Sequence, residues 1–339
     1  MNREELEWCV SVPKVELHAH LNGSVRNSTL FELARVLGDK GVIVFSDVEN
    51  VIMKDDRTLH EVFKLFDLIH ILTTDHSTVT RITKEVIEDF AAENVVYLEL
   101  RTTPKRNDSI GMSKRSYMDA VMEGLRAVSS VDVDYSPAGL KTNTFNGSTR
   151  KKMYVKLALE MRDLGVVGID LSGNPIVGNW STFLPALKFA KEQGLYITLH
   201  CGEVPNQEEI KAMIDFLPHR IGHACCFDEE NWRKLKSAKI PVEICLTSNI
   251  RTETISSIDI HHFVDLYKAK HPLVLCTDDS GVFSTSLSRE YNLASSSFGL
   301  GKTEMFQLAE IAIDFIFADD GVKTDLRATF EEAVKKLNL

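Results

Sequence analysis

Two histidines separated by one residue are the side chains of this sequence best placed for chemistry. His18 and His20 end the apolar run in KVELHAHLNG. Residues two apart on a β-strand point to the same face, so both imidazoles can reach one metal ion. A complete site needs further donors, and the candidates are His200, His223 and the adjacent pair Asp278 and Asp279.

The combination of these residues predicts a catalytic metal site. An isolated HxH pair is weak support, because most such histidines are structural or serve as hydrogen-bonding groups. Three imidazoles with one carboxylate, however, form a nitrogen-rich site with room for water, as in catalytic zinc centres. Zinc lowers the pKa of water toward neutrality and so supplies hydroxide. The predicted ligands are His18, His20, His200 and Asp278.

Three further residues are candidates for proton transfer and substrate contact. Glu203, in HCGE, can give a proton to a ring nitrogen of a substrate while hydroxide attacks the neighbouring carbon. Its alternative role is to stabilise a helix N-terminus. His223, in RIGHA, can hold the attacking water or a developing alkoxide, or can be a core histidine bonded to a backbone carbonyl. Asp279 can accept a hydrogen bond from a substrate or cap a helix.

The elements that must position these residues alternate between strand and helix patterns. Helical periodicity covers residues 30–37, 79–90, 113–128 and 183–190, and short apolar runs predict strands at 15–20, 95–100, 166–171, 195–200, 220–223, 240–246 and 273–277. This order predicts a parallel α/β sheet. The polar candidates follow the carboxyl ends of many strands, which favours a closed (β/α)8 TIM barrel. An open doubly wound sheet is the alternative, but no GxGxxG follows a strand.

One region fits this barrel poorly. Residues 129–150 are rich in Ser, Asp, Asn, Thr and Gly and are typical of a long loop, which is uncommon inside a compact domain. Residues 152–162 are then too few for both a strand and a crossover helix. We therefore expect strand 3 to be absent, or to be replaced by residues 153–159.

Composition limits the class of protein and its partners. The chain has 339 residues, of which 26% are charged and 44% hydrophobic, and no apolar stretch approaches the length of a membrane span. A net charge of −10 argues against general binding of nucleic acid or acidic membranes. Six cysteines without CxxC spacing argue against a disulfide framework or a thiolate zinc site. We expect one catalytic barrel domain over residues 1–339, monomeric and cytoplasmic (cytosolic).

The motifs KVELHAHLNG, DLSGNP, HCGE, RIGHA, LTSN and CTDD together resemble the adenosine deaminase family, a zinc-dependent (β/α)8 branch of the amidohydrolases. The resemblance implies one zinc ion (Zn²⁺) per chain on the four ligands above. It implies that Glu203 donates a proton to purine N1, that His223 orients the hydroxide and that Asp278 is catalytic. The implied contacts to the purine come from His20, Gly173, Glu203 and Asp279.

A difference within the family bears on the substrate. Adenosine-specific members carry Asp where this chain has Asn22, near the 5′ position of the ribose. An Asp would repel a phosphate, whereas Asn can donate a hydrogen bond to it. The stretch from Arg101 to Arg106, RTTPKR, adds three cations and two hydroxyl groups suited to a 5′-phosphate. Its alternative interpretation is a solvated basic loop.

The motifs HAHLNG, LELRTTP, LTSN and HHFVDLY most resemble the adenosine deaminase-like branch, which hydrolyses N6-methyl-AMP to IMP and methylamine. The resemblance implies a purine nucleoside monophosphate as the small-molecule partner, with no nucleic acid and no membrane. The acid of strand 3 found in that branch has no match, which indicates a shortened form. Alternatives are an AMP or adenosine deaminase, and a shortened chain that binds zinc and nucleotide without turnover. The further substrate contacts implied are Asn22, His70, Thr102, Thr103, Pro104 and Lys105.

Overall fold

A computed structural model describes residues 3–52, 59–129, 139–143 and 148–339. Eight strands form one sheet in chain order, and each strand pairs in parallel with the next. The strands are β1 (Lys14–His20), β2 (Val95–Thr102), β3 (Gly139–Asn143), β4 (Val166–Leu171), β5 (Tyr196–Cys201), β6 (Arg220–His223), β7 (Val242–Ile244) and β8 (Leu273–Leu275).

The sheet closes where the chain beyond β8 pairs with β1. Ala19 and Asp278 form a parallel bridge. The amide of Asp278 donates to the carbonyl of His18 at 2.7 Å, and the amide of His20 donates to the carbonyl of Asp278 at 2.9 Å. The (β/α)8 prediction is therefore confirmed, and closure itself brings predicted metal ligands from both ends of the sheet together.

Helices surround the sheet and cover it with apolar faces. In α5, the side chain of Asp75 caps the N-terminus by accepting from the amide of Thr78, and residues at helical spacing from Val79 to Phe90 are buried. The helices are α1 (Arg3–Ser11), α2 (Asn27–Asp39), α3 (Phe45–Ile52), α4 (Leu59–Leu72), α5 (His76–Ala92), α6 (Lys114–Ser129), α7 (Ser148–Glu160), α8 (Leu184–Glu192), α9 (Gln207–Asp215), α10 (Glu229–Ala238), α11 (Leu246–Arg251), α12 (Phe263–Lys268), α13 (Leu287–Phe298), α14 (Lys302–Ile311) and α15 (Asp320–Leu337).

The prediction for strand 3 is wrong. A third strand is present at Gly139–Asn143, inside the stretch read as a loop, and it pairs with both β2 and β4. Residues 153–159 lie in α7 and serve as the crossover helix. Gly139–Asn143 holds one strongly apolar residue, Leu140, so its sequence lacks the apolar pattern of a strand. The strand forms because this segment pairs with two neighbouring strands. The rest of the predicted loop, residues 130–138 and 144–147, lies outside the described residues.

An ionic network crosses the barrel interior. The carboxylate of Glu243 on β7 accepts from Arg101 of β2 and from Arg220 of β6, and Arg220 also binds Glu99. These four side chains are fully buried. Each of these four buried charges is therefore paired, and the pairs from β2 to β6 and β7 tie strands that are not neighbours in the sheet.

Within the described residues, no helix combines the length and the apolar character needed to cross a bilayer.

Candidate active site and metal centre

Four predicted metal ligands converge at the carboxyl end of the barrel. His18 and His20 end β1, His200 lies near the end of β5, and Asp278 follows β8. Asp278 Oδ1 lies 3.4 Å from His18 Nε2 and 3.3 Å from His20 Nε2. The Nε2 atoms of His20 and His200 are 3.1 Å apart. The structure thus brings together in space residues that are up to 260 positions apart in the chain.

The geometry of this cluster fits a metal ion. Zinc–ligand bonds of about 2.0–2.1 Å place tetrahedral ligand atoms about 3.4 Å from one another, and the three distances here are close to that value. His18 Nε2 is buried in the cluster and has no hydrogen-bond partner among the described residues. A buried nitrogen without a partner is costly unless an ion or water binds it. The positions of these donors fit a metal ion: His18, His200 and Asp278 form one possible metal-binding group with His223, and His20 lies close to Asp278 and Asp279 in another.

Two buried carboxylates orient the imidazoles. His18 Nδ1 lies 2.8 Å from Glu243 Oε2, and His200 Nδ1 lies 3.2 Å from Asp170 Oδ1. Arg101 donates to both carboxylates. Each histidine therefore gives its Nδ1 proton to a carboxylate and keeps its Nε2 lone pair for a metal. Sequence reasoning missed this role of Glu243 and Asp170, although a single acidic residue inside an apolar strand is the signal that marks Glu243.

Two glycines are required by close approach at this centre. A Cβ on Gly222 of β6 would lie 2.7 Å from Cε1 of His18, and a Cβ on Gly23 would lie 1.6 Å from Oδ1 of Asp279. Both glycines thus leave space that a site side chain fills. The Gly of RIGHA and the Gly of HAHLNG are therefore part of the site, although neither touches the metal position.

Glu203 lies in the cavity beside the metal ligands. Burial, together with the negative charges of Asp278 and Asp170, raises the pKa of Glu203 to about 7. A carboxyl group with this pKa is partly protonated near neutral pH and can act as an acid. Its alternative role at a helix N-terminus does not apply, since α9 begins at Gln207 and is capped by Asn206.

Asp278 and Asp279 divide their roles by geometry. Asp278 has a φ of +65°, and this turn directs both adjacent side chains inward. Ser248 donates to Asp278 Oδ2 at 2.7 Å, which leaves Oδ1 toward the histidines. Asp279 Oδ1 is buried and has no hydrogen-bond partner among the described residues. Burial and the neighbouring Asp278 charge raise the pKa of Asp279 well above its usual range, so Asp279 is available for a substrate group.

A cavity of about 400 Å³ opens over the metal ligands. This volume falls within the range of pockets that hold small molecules. It has a polar floor and apolar walls that include Phe66, Leu171 and Phe183. The predicted site residues that line it are His20, Asn22, His70, Thr102, Thr103, Gly173, His200, Glu203, His223, Asp278 and Asp279.

A polar cluster is centred on Thr73, which sequence reasoning missed, and it reaches the cavity wall through Asn22. The Thr73 hydroxyl accepts from Asn22 Nδ2 at 3.1 Å and from Lys105 Nζ at 3.0 Å, and it donates to the carbonyl of Ile69. Burial lowers the pKa of Lys105 to about 7, and burial together with the nearby Lys105 lowers that of His70 to about 3. Thr73 therefore holds two nitrogen donors side by side, and the first Thr of LIHILTT could have indicated it.

The expected basic stretch is dispersed by the fold. The guanidinium of Arg101 is buried and paired with Asp170 and Glu243, so its prediction as a phosphate-binding cation is wrong. Arg106 is exposed and pairs with Asp108 at 2.6 Å, outside the cavity lining. Pro104 and Lys105 do not line the cavity directly. The end of β2 at Thr102 explains the outcome, because the strand fixes Arg101 inside the barrel whereas Lys105 and Arg106 lie beyond it.

The comparison with family models identifies the family of this barrel. The model of adenosine deaminase matches residues 13–333, nearly the whole chain. The chain belongs to the adenosine deaminase family. The family resemblance of the motifs is thereby confirmed.

Relatives of similar length strengthen this assignment. The N6-mAMP deaminase of Arabidopsis thaliana is 68% identical, over 97% of this chain and 99% of its own length. The N6-methyl-AMP deaminase of Homo sapiens is 40% identical, over 93% of this chain and 92% of its own. The Arabidopsis alignment extends over 350 positions, more than the 339 residues of this chain, so that relative carries residues absent here. Their location near strand 3 stays a prediction.

Solved structures of family members superpose closely. A crystal structure of an Arabidopsis N6-mAMP deaminase has a TM-score of 0.94 at 70% identity and covers 96% of this chain and 99% of its own. An Arabidopsis relative complexed with IMP has a TM-score of 0.95 at 69% identity, over 97% and 99%. Adenine deaminase from Arthrobacter aurescens, at 21% identity and a TM-score of 0.83 over 96% and 99%, shares the fold.

Proposed function

We propose that this chain hydrolyses N6-methyl-AMP to IMP and methylamine, with one zinc ion per chain held by His18, His20, His200 and Asp278. Identity of 68% to an N6-mAMP deaminase across nearly its full length supports this substrate. A related structure was solved with IMP, the nucleotide product of the proposed reaction. The monomeric state, the single domain over residues 1–339 and the cytosolic location stay predictions.

The site residues divide the reaction among them. When bound, zinc supplies hydroxide near neutral pH. Glu203, kept partly protonated by burial, gives its proton to the purine ring nitrogen next to the carbon that is attacked. His223 faces Glu203 across 3.8 Å and orients the attacking oxygen. Asp279, with its free oxygen, contacts the far side of the purine, and the backbone of Gly173 contacts the ring plane.

Asn22 is the observation that carries the choice of nucleotide over nucleoside. It lies in the cavity wall, and its side chain is neutral and nearly fully buried. Thr73 keeps Asn22 Nδ2 beside the Lys105 ammonium. A phosphate held at Asn22 meets a neutral hydrogen-bond donor, and the ammonium of Lys105 lies in the same cluster. Thr102 and Thr103 add hydroxyl groups on the adjoining wall.

The direct test compares three substrates. Purified protein is incubated with N6-methyl-AMP, AMP and adenosine, while methylamine, ammonia and IMP or inosine are measured. We expect both nucleotides to be preferred to adenosine and N6-methyl-AMP to be the best. Preference for AMP would favour the AMP deaminase alternative, and preference for adenosine would refute the argument from Asn22. Stoichiometric zinc without turnover on any of them would favour the non-catalytic alternative.

A variant makes the test specific to Asn22. Asn22→Asp keeps the side-chain shape and places a negative charge beside the phosphate. We expect kcat/KM for N6-methyl-AMP to fall by about 10²-fold, in line with like-charge repulsion of several kcal/mol, while that for adenosine stays unchanged. The matched control is Asn338→Asp, which adds the same charge at the exposed C-terminus. Equal losses on both substrates in Asn22→Asp would contradict a phosphate at this position.

A further inference from the structure

His223 is held by a line of three hydrogen bonds that begins at a backbone amide. The amide of Phe263 donates to His261 Nδ1 at 3.1 Å. His261 Nε2 lies 3.2 Å from Asn249 Oδ1, and Asn249 Nδ2 lies 3.1 Å from His223 Nδ1. His223, Asn249 and His261 are each only 2% exposed, so water does not substitute for these partners.

The first bond fixes the direction of all the others. Phe263 begins α12, and its N–H is a donor that cannot act as an acceptor. His261 Nδ1 must therefore carry a lone pair, which leaves the proton of the neutral ring on Nε2. That proton points at the Asn249 oxygen, so the amide of Asn249 turns its NH₂ toward His223. His223 Nδ1 accepts, and the remaining proton of His223 is on Nε2.

The opposite direction is excluded by a collision of donors. If His223 carried its proton on Nδ1, the Asn249 oxygen would have to face it and the Asn249 NH₂ would face His261. His261 would then need its proton on Nδ1, where it would point at the Phe263 N–H across 3.1 Å. Burial lowers the pKa of His261 to about 2, so the ring does not escape by becoming doubly protonated.

The neighbouring histidine holds the backbone of His223. His262 Nε2 donates to the carbonyl of His223 at 2.7 Å. This residue has a φ of +68°, a left-handed conformation that is unfavourable for a side chain with a Cβ and that surrounding contacts must maintain. The pair at the start of HHFVDLY thus acts on His223 twice, once through its carbonyl and once through its ring.

We propose that His261 and Asn249 are positioning residues that fix His223 as the Nε2–H tautomer. His223 then presents a hydrogen-bond donor to the cavity, 3.8 Å from Glu203 Oε1 and 4.0 Å from Asp278 Oδ2. It has no Nε2 lone pair with which to bind the metal or to remove a proton. His223 Nε2 is therefore a hydrogen-bond donor and not a metal ligand. The three imidazole ligands are then those of His18, His200 and His20. The catalytic part of the proposal rests on the proposed function.

Histidine ¹⁵N chemical shifts test the tautomer directly. Long-range ¹H–¹⁵N spectra of the full-length, zinc-loaded protein distinguish a ring protonated on Nε2 from one protonated on Nδ1. We expect His223 and His261 both to show the Nε2–H pattern. The Nδ1–H pattern for His223 would overturn the proposal. This readout uses no substrate, so a protein that lacks turnover but shows the expected pattern would refute the proposed function and leave the tautomer assignment intact.

Variants at His261 test whether the line of three hydrogen bonds causes that tautomer. Gln at this position can accept from Phe263 and donate to Asn249, whereas Glu can only accept and so turns Asn249 around. We expect His261→Gln to keep both the tautomer and kcat. His261→Glu should convert His223 to the Nδ1–H form and lower kcat by about 10²-fold, as for loss of a positioned donor, with KM little changed. An unchanged tautomer and kcat in His261→Glu would refute the causal role.

A second variant and a control separate positioning from folding. Asn249→Asp places an acceptor against both rings, so it should also force the Nδ1–H form of His223 and lower kcat, whether or not His261→Glu folds. His271 is a buried histidine outside the site whose Nε2 lies 2.8 Å from the carbonyl of Ile240. His271→Glu should lower stability without changing the His223 tautomer. If His271→Glu lowered kcat as much as Asn249→Asp does, the role of Asn249 would be merely structural and the proposal would be contradicted.

Discussion

Glu203 is proposed to donate the proton to the purine without binding the metal. Replacing it by Gln removes the proton but keeps the shape, so Glu203→Gln should lower kcat by about 10²–10⁴-fold. Zinc content by metal analysis should remain at one ion per chain. The control is Glu208→Gln, an exposed carboxylate on the first turn of α9. Loss of zinc in Glu203→Gln would make Glu203 a ligand and refute its role as the acid.

Lys105 predicts a pH dependence that is specific to phosphate. Burial lowers the pKa of Lys105 to about 7 in the free protein, so its positive charge is present below pH 7 and is lost as the pH rises above it. The ratio of kcat/KM for N6-methyl-AMP to that for adenosine should therefore fall between pH 7 and 9, by up to about tenfold per unit. Using the ratio cancels the deprotonation of Glu203, which affects both substrates.

Lys105→Arg provides the control for this pH profile. A guanidinium stays charged throughout this range, so the ratio in the variant should be flat from pH 7 to 9. A profile in the variant that falls as steeply as in the parent protein would show that Lys105 is not the group responsible.

At the scale of elements, the strands are joined by the ionic network inside the barrel. Arg101 on β2 neutralises Asp170 on β4 and Glu243 on β7, and all three are fully buried. Arg101→Met would leave the buried carboxylate of Asp170 without its arginine and Glu243 with Arg220 alone, and it should lower the free energy of unfolding by about 3–5 kcal/mol. Urea unfolding measures this loss. Arg106→Met, an exposed arginine five residues away, should leave the unfolding free energy unchanged.

The packing of β6 against β1 predicts a second effect, on the metal. A Cβ on Gly222 would lie 2.7 Å from Cε1 and 3.1 Å from Nδ1 of His18, so Gly222→Ala must displace this ring. We expect the zinc affinity to fall by about 10–100-fold, as for loss of a group that orients a ligand, as measured by competition with a chelator. In Gly301→Ala the Cβ would meet only Glu304 Oε2 at 3.5 Å, and the affinity should not change.

At the scale of the whole molecule, the proposed zinc ion would join the two ends of the sheet. Its predicted ligands come from β1, β5 and the segment after β8, where the barrel closes. Zinc at 10³ times its dissociation constant stabilises the folded state by about 4 kcal/mol. Chelation should therefore lower the melting temperature, and zinc should restore it more effectively than magnesium, which prefers oxygen ligands. In His200→Ala the melting temperature should not respond to the chelator.

Much of this protein was determined by its sequence alone. Strand and helix periodicity predicted the parallel barrel, and residue types and motifs predicted His18, His20, His200 and Asp278 as a ligand set, residues that the structure places together. This was possible because a parallel barrel places the carboxyl ends of all its strands at one rim. Polar residues at those ends must then meet, whatever their separation in the chain.

The tertiary structure decided what depends on neighbours in space. Gly139–Asn143 is a strand because two strands pair with it, which no local pattern showed. Arg101 turned out to be a partner of Asp170 and Glu243 rather than of a phosphate, since its position on β2 faces the barrel interior. The proton position on His223 likewise follows from a backbone amide 40 residues away. Residue types and spacing predict which groups can react, whereas orientation, pairing and protonation are properties of contacts that form only in the folded chain.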